Sequence, residues 1–417
     1  MKANLLPFVS YFLFVSFALS FAPRSVHAGA SAAQISGPTQ TNASADSKMA
    51  DSKIEVENWA KPGPGSLYVL DPKPDGASGG RVWLVEPETG KVMGSIRTGD
   101  NPDFALSPDG SRLYVASIVA GDWSELAVID TARGAILQRG TIEDREVASV
   151  LPAFSAMAVS GDGLALRILL DTPKSADADS FLLATFDTQT GEFLPRSVHL
   201  GNCGPGRFIA HPTAEQFDFL CPRTNRVRLI RVDAESRELQ NADIVLPWER
   251  RVGAAEAIEH ASGQDIAIIR GDGAVVQMSV DSHEFSDTAA RPVLPNRIPP
   301  AAWPVSPDGS RIYLGYNSLY DRQYDNRFYL DYGRPPNLRP NDATVGEFRV
   351  LDTGTWRKIG TIKTKMAFWS AVIANDGKTL YAMAPQKHSI LVIDTGKRRQ
   401  TRVLKVGGAP ALALVAP

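Results

Sequence analysis

The sequence predicts an all-β protein, a seven-bladed β-propeller closed by its C-terminal strand, and three observations lead there. First, a tight turn recurs as Ser107-Pro108-Asp109-Gly110, Ser160-Gly161-Asp162-Gly163, Ser306-Pro307-Asp308-Gly309 and Ala374-Asn375-Asp376-Gly377, with looser versions starting at His211 and His260. Asp-Gly supplies the positive φ that closes a hairpin. Second, an acidic residue and a turn end a strand at seven places: Glu86, Asp130, Asp187, Asp233, Asp281, Asp352 and Asp394. Most of their spacings lie near the ~40–50 residues of a propeller blade. Third, residues 65–70 match the second strand of a blade, and its missing inner strand is found at residues 411–415, so the tail is expected to pair beside residues 67–70.

The leader comes first. Lys2 gives a basic start, residues 5–22 are apolar, and Val26-His27-Ala28 is a small-residue cleavage site. Residues 1–28 therefore read as a signal peptide cleaved after about Ala28, and the protein as exported to the periplasm. A membrane anchor is the competing reading, since the run approaches spanning length. Residues 29–60 are rich in Ala, Ser, Thr and Gln and read as a flexible arm; residues 61–417 form the propeller. The net charge is −2, and losing Lys2 and Arg24 with the leader makes it −4. That balance argues against a nucleic-acid partner.

Residues 101–142 display the repeating unit: a strand at 103–106, the turn at Ser107, strands at 112–116 and 125–129, a turn at Asp130 and a strand at 135–141. Four short strands cannot cover both faces of their own sheet, so each unit needs neighbours like itself. In a blade the first-to-second and third-to-fourth connections leave at one end and are tight here. The opposite end carries the long loops, at residues 71–80, 171–180, 286–300 and 317–344, where binding usually resides. The last of these interleaves Tyr320, Tyr324, Arg327, Phe328, Tyr329 and Tyr332 with acids and further arginines. Tyr and Arg are enriched at interface centres, so these six are candidate docking residues. A loop packed on its own propeller is the alternative.

Chemistry is harder to find. No haem-attachment motif, phosphate-cradling Gly loop or nucleophile elbow occurs, and the carboxylates are mostly accounted for as turn formers. His211 and His260 fall at turns. We assign no catalytic residue and no metal ligand. Cys203 and Cys221, the two cysteines of the chain, flank a hairpin that turns near residues 212–215. In an exported protein such a pair reads as a structural disulfide, stabilising by roughly 3 kcal/mol in the chain-entropy model.

The combination resembles the heavy subunit of the quinoprotein amine dehydrogenases, the methylamine and aromatic amine dehydrogenases. The similarity runs over residues 65–410 and is clearest at 81–96 (RVWLVEPETGKVMGSI), 202–223 (NCGPGRFIAHPTAEQFDFLCPR), 311–316 and 346–362 (GEFRVLDTGTWRKIGTI). It implies a periplasmic α2β2 heterotetramer in which this chain docks a light chain. The tryptophan tryptophylquinone cofactor would belong to that light chain and none to this one, with electrons leaving to a small copper protein of the amicyanin or azurin type. Two other readings stay open: a stand-alone propeller hydrolase of the lactonase kind, and a propeller interaction module without a redox partner.

Overall fold

In a computed structural model of the chain, the described residues are 54–72, 79–120, 123–142, 149–150, 157–171, 180–194, 198–202, 207–210, 216–222, 226–233, 239–245, 256–259, 265–269, 275–279, 302–317 and 345–417. They build seven small antiparallel sheets, the number that the acidic punctuation predicts. Sheet 1 contains β1 (Glu55–Glu57), β2 (Leu67–Asp71), β3 (Arg81–Val85) and β4 (Val92–Arg97); sheet 2 contains β5 (Asp100–Leu106), β6 (Arg112–Ala120), β7 (Trp123–Asp130) and β8 (Ala135–Ile142). Sheet 3 contains β9 (Ser149–Val150), β10 (Met157–Val159), β11 (Ala165–Asp171), β12 (Ser180–Asp187) and β13 (Val198–Asn202). Sheet 4 runs from β14 (Arg207–Ala210) through β15 (Gln216–Pro222) and β16 (Arg226–Asp233) to β17 (Leu239–Val245). In sheet 5 the described strands are β18 (Glu256–Glu259), β19 (Asp265–Ile269) and β20 (Val275–Ser279), and in sheet 6 β21 (Arg311–Asn317), β22 (Gly346–Asp352) and β23 (Lys358–Thr364). Sheet 7 holds β24 (Ser370–Ile373), β25 (Thr379–Ala384), β26 (Ser389–Asp394) and β27 (Arg399–Lys405).

The last strand, β28 (Leu412–Val415), leaves sheet 7 and pairs with β2, with Leu67 opposite Val415 and Leu70 opposite Leu412. This is the pairing expected of the tail. It gives sheet 1 its inner strand and removes an exposed edge.

In sheets 1, 2 and 7 the strands read as nearly continuous apolar runs because neighbouring sheets cover both faces. All five residues of β2 are buried, for example. One layer between sheets 1 and 2 joins Tyr68, Leu84, Ile96, Phe104 and Val115, and the next joins Tyr114 and Leu126 to Met157, Ile168 and Phe186 of sheet 3. Tyr313, Phe348 and Phe368 meet Leu380 and Leu391 between sheets 6 and 7, while Tyr381 and Met383 meet Leu67, Val69 and Ala413 between sheets 7 and 1. Successive sheets meet near their inner strands: β24 lies against β28, the second strand β2 against β5, β5 against β10, β10 against β14 and β14 against β18. The first strand of sheet 6 is reduced to single bridges, Ala302 to Gly315 and Val305 to Ile312. Pro304 between them has no N–H to donate to a ladder.

One expectation needs correction. The arm ends earlier than residue 60, because Ile54 is fully buried in the layer between sheets 1 and 2 and β1 adds a fifth strand outside β4. Charge holds it there: Arg81 Nη1 lies 2.5 Å from Glu57 Oε2, and Arg97 pairs with Glu55. Trp59 then stacks on Tyr68, ring centroids 6.2 Å apart, and its Nε1 donates to Thr131 O at 2.8 Å. Residues 1–28, read from sequence as a signal peptide, and the expected arm up to residue 53 lie outside the described residues. Among those described, no helix is long and apolar enough to cross a membrane.

Candidate functional site

At one end of the sheets the turns are locked by a repeated set of hydrogen bonds. In the turn at Ser107, the Ser107 hydroxyl donates to Asp109 Oδ1 at 2.6 Å, Ser111 N donates to the same oxygen at 3.0 Å, and Gly110 takes φ +70. Ser160 and Ser306 donate in the same way to Asp162 and Asp308. These donors hold the carboxyls of Asp109, Asp162 and Asp308 below the usual range, the serine hydroxyl contributing most; Asp308 is brought down to about 2. In sheets 2, 3, 6 and 7 the second turn is built on Asp130, Asp187, Asp352 and Asp394, whose Oδ1 accepts from backbone N–H groups two or three residues on.

The two kinds of turn are also bolted together. The threonine after each acid reaches across: Thr131 Oγ1 donates to Gly110 O at 2.7 Å, Thr188 to Gly163 O at 2.6 Å, Thr353 to Gly309 O at 2.6 Å and Thr395 to Gly377 O at 2.8 Å. Sequence reading missed this clamp, although its signal, the repeated Asp-Thr, was in view. Every carboxylate in these turns is committed to fixed donors, which suits a rigid base and not proton transfer.

The other end carries the candidate site. Asp71, the last residue of β2, is fully buried and its Oδ2 accepts from Ala409 N at 3.1 Å. A side chain at Gly408 would collide with that carboxylate. His388 Nδ1 lies 3.0 Å from Gly408 O, and because a carbonyl can only accept, Nδ1 carries the hydrogen. The crossover into β28 is thus pinned from sheets 1 and 7 together. Beside it the Arg81 guanidinium sits over the Trp83 ring, 4.9 Å from its centroid.

The loop between β21 and β22 leaves from a stem that is paired to its end, with Asn317 opposite Gly346. Arg349 lies over Tyr316, 5.5 Å from the ring centroid, and its Nε donates to Glu347 Oε1 at 2.9 Å. Phe368 stacks on Phe348 at 4.3 Å and occupies the space that a side chain at Gly315 or Gly346 would need. The stem is therefore stiff. The docking candidates Tyr320, Tyr324, Arg327, Phe328, Tyr329 and Tyr332 lie outside the described residues, and so do His211, His260 and Cys203. The backbone register sets Arg207 opposite Leu220, which makes Cys221 the next residue beyond that pair; its side chain and the proposed disulfide are also outside the described set. Among the described residues no group of three or more His, Cys, Asp or Glu could hold a metal.

No protein-family model matches the chain, and no curated protein matches it. Among solved structures it is similar to a functionally unknown protein from Desulfotomaculum acetoxidans DSM 771, at TM-score 0.58 and 11% identity, over 85% of this chain and 99% of that one. It is also similar to hydrazine synthase of Kuenenia stuttgartiensis, at TM-score 0.53 and 17% identity, over 81% and 97% of the two chains. At these identities the likeness speaks for a propeller-like all-β fold alone.

Proposed function

We propose that the seven sheets close into a seven-bladed propeller and that this propeller is the non-catalytic heavy subunit of a periplasmic amine dehydrogenase. The observation that carries the reading is the contrast between the two ends of the sheets. One end is clamped turn to turn, whereas the other presents long loops on stiff stems such as β21 and β22. That division of labour fits a platform that docks a partner. The pairing of β28 with β2 and the succession of inner strands support closure.

In this reading the light chain binds at the loop-bearing end, where Tyr320, Tyr324, Arg327, Phe328, Tyr329 and Tyr332 supply aromatic and guanidinium contacts. Tryptophan tryptophylquinone, held by that light chain in this reading, would supply the oxidation of the primary amine, with electrons leaving to a small copper protein. This chain contributes position and exclusion of water. Purification from the native periplasm tests it: the expected result is a co-purifying small, cysteine-rich chain with visible quinone absorbance. A colourless monomer would contradict it.

A further inference from the structure

The outer edge of sheet 7 is built like the edge of sheet 1 that already holds an added strand. In sheet 1 the outer strand β4 carries a bulge at Met93, after which four pairs run to Arg81 opposite Arg97. β1 lies outside this stretch, Glu55 opposite Arg97 and Val56 opposite Ile96. Sheet 7 repeats the plan, with a bulge at Thr401 followed by four pairs that end at Ser389 opposite Lys405. Leu404 and Lys405 therefore stand where Ile96 and Arg97 stand, Leu404 and Ile96 buried, Lys405 and Arg97 exposed.

The occupant differs. Among the described residues no strand pairs with the outer side of β27. The nine residues 397–405 (KRRQTRVLK) carry five cations and no carboxylate. Arg398 donates to Ile359 O, Arg402 to Pro87 O at 3.2 Å and Lys405 Nζ to Lys387 O at 3.1 Å, so these cations meet carbonyls, and the one ion pair of the stretch among the described residues is Lys397 with Asp394 at 3.4 Å. In sheet 6 the matching Lys363 stands opposite Glu347, an acid from its own sheet. Lys405 stands opposite a serine.

We propose that β27 is a docking edge for an extended acidic segment of a partner protein, which adds as an antiparallel strand in the manner of β1. Its carboxylate sits opposite Lys405, an aliphatic residue follows opposite Leu404, and further carboxylates toward its C-terminus meet Arg402 and Arg399. Charge complementarity selects the partner, and backbone hydrogen bonds along the edge give the register. Lysines and a bulge also discourage pairing between like edges. They do not block an acidic strand, as β1 beside the equally bulged β4 demonstrates. The inference does not depend on the amine dehydrogenase reading.

The test uses the full-length protein and a labelled peptide with the sequence of residues 54–59, Ile-Glu-Val-Glu-Asn-Trp, in fluorescence anisotropy. Binding is expected, and Lys405→Glu should weaken it by about tenfold, as expected for an opposed charge pair. A peptide with lysine in place of both glutamates should bind Lys405→Glu better than it binds the unaltered protein. No binding, or no change with Lys405→Glu, overturns the proposal. So does equal binding by a peptide with methylated backbone nitrogens, since that outcome describes a general polyanion patch and not strand addition.

Discussion

Thr353→Val deletes a hydroxyl while its acceptor, Gly309 O, stays buried between two turns. A buried carbonyl that loses its donor costs about 1–2 kcal/mol, so the urea midpoint should fall with little change in slope. Gly309→Ala belongs to the same site and acts through the backbone, because φ there is +68; a further loss of about 1 kcal/mol is expected. The carboxylates predict a pH dependence whose sign follows from their direction. Asp109, Asp162 and Asp308 have lowered folded values, so their contribution is complete above the unfolded carboxylate range near about 4 and is lost as pH falls through those lowered values, about 2 for Asp308. Urea midpoints measured along this range should drop, and Ser306→Ala should reduce the drop. The turns were legible in the sequence because Asp-Gly is a local requirement for positive φ. The threonine clamp was not, because Thr353 and Gly309 are 44 residues apart and only the folded sheet joins them.

Element by element, the least expected strand is β1. Three residues, Glu-Val-Glu, are too short and too polar to stand out from the arm before them, and what fixes them is nonlocal: Arg97 on β4, which they pair with, and Arg81 on β3 beyond it. Ile54 anchors the same segment, and with its side chain fully buried Ile54→Ala should cost about 2–5 kcal/mol. The measurement is the urea midpoint. A value unchanged from the parent would mean that the segment is not part of the folded sheet in solution. The opposite case is sheet 6, where the sequence rhythm promises an ordinary first strand and Pro304 leaves two isolated bridges. Apolar rhythm reports burial well, but it does not register a missing N–H.

For the whole molecule, the number of sheets and the return of the tail to β2 could be read from periodicity, since a repeat that cannot bury its own faces must be completed by its neighbours. The proposed light chain could not, because a docking surface has no period. Removing residues 411–417 should leave the β2 edge unpaired and uncover Tyr68 and Val69, so size-exclusion chromatography is expected to show aggregation in place of a single folded species. The central claim is a closed propeller that serves as a docking platform. A cryo-EM map of the protein isolated from the cells that produce it puts this to the test. The account predicts seven blades, residues 412–415 lying beside residues 67–70, and a small second chain on the loop-bearing end. A different number of blades, or a lone chain with that end bare, would contradict it.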